Sequence, residues 1–141
     1  MRPLSIRAKG ITSYALPLAL DLTLLGEGLV ALVGKTGGGK TSLMDMLGGP
    51  VALWRRFSTR DGGLKEWCSG RDASVDLTFA YQGTVYRSLI NIAPEYSAGR
   101  GKEEAFLYRQ SADGTWETLT PGRVPDFAAL VQRGYAVRPL D

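Results

Sequence analysis

Eight consecutive residues concentrate the chemistry of this chain: Gly34-Lys35-Thr36-Gly37-Gly38-Gly39-Lys40-Thr41. They fit the pattern G-x-x-x-x-G-K-[ST], with Gly34, Gly39, Lys40 and Thr41 at its fixed positions. Small residues at 37–39 let successive backbone N–H groups turn inward and form a nest for phosphate oxygens. A helix opening at Thr41 would add the positive end of its dipole at the same point. Lys40 can then reach β and γ phosphates, and the Thr41 hydroxyl can ligate magnesium. The expected binding set is therefore Gly34, Lys35, Thr36, Gly37, Gly38, Gly39, Lys40, Thr41 and Ser42, with Lys40 as the catalytic cation and Thr41 as the metal ligand. The ligand this set implies is ATP with Mg2+.

Other groups that hydrolysis requires are harder to find. A second carboxylate should close another apolar strand, hold magnesium and polarise water, yet after residue 41 no run of four apolar residues ends in Asp or Glu. The Asn/Thr-Lys-x-Asp segment of a GTPase is missing as well. The chain has no histidine, which excludes a histidine base or a histidine-ligated zinc within it. Cys68, the single cysteine, has no metal-spaced neighbour and is read as inert. The basic pairs Arg55-Arg56 and Arg100/Lys102 and the scattered Trp54, Trp67 and Trp116 make no concentrated nucleic-acid arm or stacking platform.

Elements must place this loop. Alternation over 4–9 (Leu4, Ile6, Ala8) and again at Leu18, Leu20, Leu22 and Leu24 reads as two half-buried strands. Gly26-Glu27-Gly28 is a turn, and Leu29-Val30-Ala31-Leu32-Val33 reads as a central strand covered on both faces. Leu43, Met44, Met46 and Leu47 place a helix over 41–47, stopped by Gly48-Gly49-Pro50. Val75, Leu77, Phe79 and Tyr81 alternate with polar residues, and Gln82-Gly83 separates them from a partner strand at 84–90. A second hairpin pairs 104–110 with 115–119 across Ala112-Asp113-Gly114, and Phe127, Leu130 and Val131 mark a short last helix. The fold class expected is α/β, with a mixed sheet and antiparallel hairpins.

With 141 residues, 44% apolar and 22% charged, the chain suits one domain with a real core rather than a disordered tail or a coiled coil. Net charge of +3 is mild. No apolar run is long enough to cross a bilayer, and no signal peptide is expected. A lone cysteine fits a reducing cytoplasm.

Four groups of residues resemble a known family, the SbcC-type large subunits of DNA exonuclease complexes, relatives of the SMC proteins among the ABC-type ATPases. They are the opening Leu4–Tyr14; the loop through Asp45; Val75–Phe79 with Gly83 and Tyr86-Arg87; and Pro94-Glu95-Tyr96 with Gly99-Arg100-Gly101-Lys102, Leu107 and Asp113-Gly114. Residues 48–74 have no residue-by-residue match, and Asn91-Ile92 stand where the family usually has arginines. The resemblance implies a P-loop NTPase of ABC/SMC type and places this chain as its N-terminal lobe. A C-terminal lobe would carry the magnesium carboxylates and the signature serine, beyond coiled-coil arms. It further implies a second ATPase head that pairs with the first around ATP, an SbcD-like nuclease subunit, double-stranded DNA, and a cytoplasmic, nucleoid-associated setting. A linking-segment glutamine that touches magnesium would be Gln132, and Tyr14 and Tyr96 would lie near the nucleotide. On this reading 141 residues are a truncated chain. Two alternatives stay open: a self-contained small P-loop kinase or phosphotransferase, and a non-catalytic nucleotide-sensing module.

Overall fold

A computed structural model describes residues 1–49, 68–69, 73–92, 104–120 and 122–132, with the backbone alone at 131–132. The expectations that rest on Trp54, Trp67, Tyr96, Arg55, Arg56, Arg100 and Lys102 lie outside the described residues. The strands are β1 (Arg2–Lys9), β2 (Leu18–Asp21), β3 (Ala73–Tyr81), β4 (Thr84–Ile92), β5 (Glu104–Gln110) and β6 (Trp116–Thr118); the helices are α1 (Lys40–Leu47) and α2 (Val124–Gln132). All six strands join one sheet in the order β2-β1-β3-β4-β5-β6, antiparallel at each of its pairings. Helices on an antiparallel sheet agree with the α/β class at that coarse level.

Alternation explains the layering. Ala73, Val75, Leu77 and Phe79 of β3 and Tyr86, Ser88, Ile90 and Ile92 of β4 are buried on one face, while the residues between them are half-exposed. Ile6, Ala8, Ala105 and Leu107 extend that face. The rings of Phe79 and Tyr86 stack 5.6 Å apart across β3 and β4, so Tyr86 of the family-like Tyr86-Arg87 pair is a packing residue. Leu43 and Met46 bring α1 into the same core, and Phe127 brings α2. Arg87 projects from the other face, where it holds Asp76 through two hydrogen bonds of 2.8 and 2.7 Å. Pro3 has no N–H to donate, and the β1–β3 register shifts between Pro3 and Ser5.

Both hairpins form where alternation and turn residues place them. Gln82 and Gly83 take φ of 49° and 78°, the pair of left-handed residues that a tight two-residue hairpin requires. In the β5–β6 turn the Asp113 carboxylate accepts from the Thr115 amide and hydroxyl, and Gly114 supplies φ of 85°. Past β6, Thr120 is buried; its Oγ1 accepts from the Leu107 amide (2.8 Å) and donates to the Ala105 carbonyl (3.2 Å), tying the connection to β5.

Two expectations are corrected. The strand at 18–24 stops at Asp21, because the Asp21 carboxylate accepts from the Thr23 amide and turns Leu22–Leu25 into a single 3-10 turn. The run Leu29–Val33 is not a buried central strand: it carries no sheet pairing, and Leu29, Val30, Leu32 and Val33 are exposed, Leu29 fully so. Period-two and all-apolar patterns tell which faces avoid water but not which strand pairs with which, and β1 already has both neighbours in β2 and β3. Among the described residues no helix is long and apolar enough to cross a membrane.

Candidate phosphate-binding loop

The extended run Leu29–Val33 delivers the chain to Gly34, and α1 begins six residues later at Lys40. Between them the backbone makes a tight loop. The Gly38 amide donates to the Lys35 carbonyl at 3.0 Å, and a Cβ at residue 38 would stand 3.0 Å from that same oxygen. Gly37 and Gly39 take φ of 80° and 94°, a region costly for any residue with a side chain. Gly39 is the N-cap of α1, and its carbonyl accepts the first helical hydrogen bond from the Leu43 amide at 2.9 Å. Glycines stand where the loop demands them.

Lys40 folds back over the loop. Its Nζ donates to the Gly34 carbonyl at 2.6 Å and to the Lys35 carbonyl at 2.8 Å, so the side chain bridges both ends of the turn. An ammonium has three donors, and two are engaged here, which leaves one for an anion in the loop. Gly34, Lys35, Thr36, Gly37 and Gly38 are exposed, Gly39 and Lys40 half-buried. Thr41 is exposed and Ser42 half-buried on the first turn of α1. No carboxylate occupies that first turn, so nothing of negative charge there opposes an anion at the dipole's positive end. The nine expected residues thus form one continuous structure, with a cation, a helix N-terminus and a glycine turn at a single place. Among the described residues no three His, Cys, Asp or Glu side chains cluster as a metal site. Gln132 closes α2, where the backbone alone is described.

One residue that the loop motif does not contain reaches it. The Tyr14 hydroxyl donates to the Gly39 carbonyl at 3.0 Å. The family resemblance places Tyr14 near the nucleotide, and its described contact is with the loop backbone, 25 residues away in sequence. No spacing rule links the two positions; the only sequence signal is the polar break at Thr12-Ser13 after β1.

The other flank of α1 is apolar and open. A cleft of about 670 Å³ separates the Leu29–Val33 run and the 3-10 turn from α1, lined by Leu20, Leu22, Val30, Leu32, Leu43 and Leu47 among others. Leu24, Leu25 and Met44 are exposed nearby. Contiguous exposed apolar surface of this kind is uncommon on a monomeric soluble protein.

No family model matches the chain. Over 135 residues, 94% of this chain, it is 33% identical to the C subunit of nuclease SbcCD from Deinococcus radiodurans, of which it spans 14%. Over 50 residues, 33% of this chain, it is 46% identical to the corresponding SbcCD protein of Rhodobacter capsulatus, 4% of that protein. The chain is therefore SbcC-like along nearly its whole length while spanning a small part of either relative.

Proposed function

We propose that this chain is the nucleotide-binding N-terminal lobe of an SbcC-like ATPase head, of P-loop ABC/SMC type, that takes part in DNA break repair with a nuclease subunit. The observation that carries this reading is the conjunction of a formed Gly34–Thr41 loop with an unpaired apolar run directly before it. A phosphate loop normally follows a strand inside a sheet. Here that segment lies outside the sheet and beside an open apolar cleft, as half of a shared core would. The similarity to the SbcC proteins of two SbcCD nucleases supports the same assignment.

On this reading Mg-ATP supplies the negative charge that the loop is built to hold. Lys40 keeps the loop closed through its two carbonyl contacts and turns its remaining donor to a phosphoryl oxygen. Amides at the N-terminus of α1 would bind the same phosphates, and the Thr41 hydroxyl would hold magnesium. The magnesium carboxylate and the signature serine come from a C-terminal lobe that covers Leu29–Val33 and the cleft. Two heads then close around ATP, and their closure and release gate an SbcD-like nuclease on double-stranded DNA.

The test is a binding and turnover measurement on the purified chain. Mg-ATP should bind, and Lys40→Ala should weaken it about 10- to 100-fold, since a charge-assisted contact is lost. Turnover should stay negligible until a chain that carries the C-terminal lobe is added. Rapid hydrolysis by this chain alone would overturn the half-head reading.

A further inference from the structure

We propose that Tyr14 is a positioning residue for the phosphate loop: its hydroxyl holds the Gly39 carbonyl and thereby aims the Lys40 amide at the anion. The inference rests on the reading of residues 34–41 as a triphosphate loop and adds a residue that the loop motif does not contain.

The chain invests conformational strain in placing this tyrosine. Ile11 and Tyr14 close a tight turn with two backbone hydrogen bonds, Tyr14 N to Ile11 O at 2.8 Å and Ile11 N to Tyr14 O at 3.3 Å. Within it Thr12, a β-branched residue, sits at φ of 47°, and its Oγ1 is buried without a hydrogen-bond partner. Such conformations persist where the surroundings over-determine them. Here the surroundings do so: Ile11 is buried in the core and bridges Cys68, and the Ser69 amide donates to the Gly10 carbonyl at 2.7 Å. The turn is thus clamped from both sides.

Its product is a close fit to residue 39. The Tyr14 hydroxyl is 3.0 Å from the Gly39 carbonyl, and its ring atoms would stand 2.9 to 3.0 Å from a Cβ at 39. That carbonyl also receives the Leu43 amide, so Tyr14 and the first turn of α1 hold one oxygen together. The peptide linking 39 and 40 is planar and trans, so its C=O and N–H point in opposite directions. Fixing the carbonyl toward Tyr14 therefore fixes the Lys40 N–H away from it. The hydroxyl's single donor is spent on the loop, so the tyrosine acts on the phosphates through Gly39.

Tyr14→Phe keeps the ring and removes the hydroxyl. Two ligands are measured on the 141-residue chain, Mg-ATP and inorganic tripolyphosphate, which has no base. The variant should weaken both by a similar factor, about 3- to 10-fold, the worth of one hydrogen bond. In the unliganded variant the Leu43 amide should exchange with solvent several-fold faster, with the Leu77 amide unchanged. Loss for ATP alone would assign the tyrosine to the base and overturn the proposal. Unchanged affinities for both ligands with a lowered melting temperature would overturn it too, leaving a structural role. If Lys40→Ala also has no effect on either ligand, the loop reading itself fails; if Lys40→Ala weakens both and Tyr14→Phe neither, only this inference falls.

Discussion

Gly39 answers three demands at once: a left-handed φ of 94°, a carbonyl shared by Leu43 and Tyr14, and no room for a side chain beside the Tyr14 ring. Gly39→Ala should therefore cost about 1 to 3 kcal/mol of stability from backbone strain alone. On the proposed function it should also weaken Mg-ATP binding more than tenfold; denaturant unfolding and calorimetric titration check the two effects separately. Adding Tyr14→Ala should relieve the contact but not the strain, so the double variant recovers part of the lost stability and none of the lost affinity. A second residue with a measurable consequence is Thr120, whose hydroxyl serves the Leu107 amide and the Ala105 carbonyl inside the core. Thr120→Val strands both groups and should destabilise by about 1 to 3 kcal/mol. The contrast between these residues shows what can be read from sequence. The loop from Gly34 to Thr41 is legible because its chemistry and its spacing are local. Tyr14 and Thr120 act on residues far along the chain, and no periodicity encodes such a contact.

At the scale of elements the hairpins were the most legible. Val75, Leu77 and Phe79 alternate cleanly, Gln82-Gly83 suits a tight turn, and β3 and β4 follow. Leu29–Val33 was the least legible, since apolarity on both faces states a need for cover without naming its source. The 18–24 strand was shortened by one carboxylate, Asp21, which captures the Thr23 amide. The β5–β6 hairpin carries its own acid sensitivity. Hydrogen bonds from Arg109 and then Ser111 hold Glu117 below the usual carboxylate range, and the Thr115 hydroxyl and amide do the same for Asp113. A lowered folded-state pKa contributes stability that is present above the unfolded value and lost as pH falls through the folded one. The hairpin should thus loosen from about pH 4 downward, near and below the ordinary carboxylate values. Thr115 amide exchange followed against pH checks this, and Glu117→Gln should flatten part of the dependence.

Across the whole molecule the sheet has one face closed by α1 and α2, while its β2 flank carries the open apolar cleft. Replacing Leu29 and Val33 with lysine should leave the melting temperature of the chain nearly unchanged, since both side chains are exposed. The same change should lower binding of a hydrophobic dye, and on the proposed function it should abolish stimulation by the C-terminal lobe. Strand order carries a last consequence, for the time course of folding. β3, β4, β5 and β6 are joined to their neighbours in sequence, so their contacts are local and close quickly. β1 must instead find β3 across the whole stretch from Gly10 to Asp72. Pulse-labelled exchange during refolding should therefore protect Leu89 of β4 before Ile6 of β1. The turn that holds Tyr14 against Gly39 follows directly on β1, so the 34–41 loop gains its Tyr14 contact only once that long-range pairing has formed.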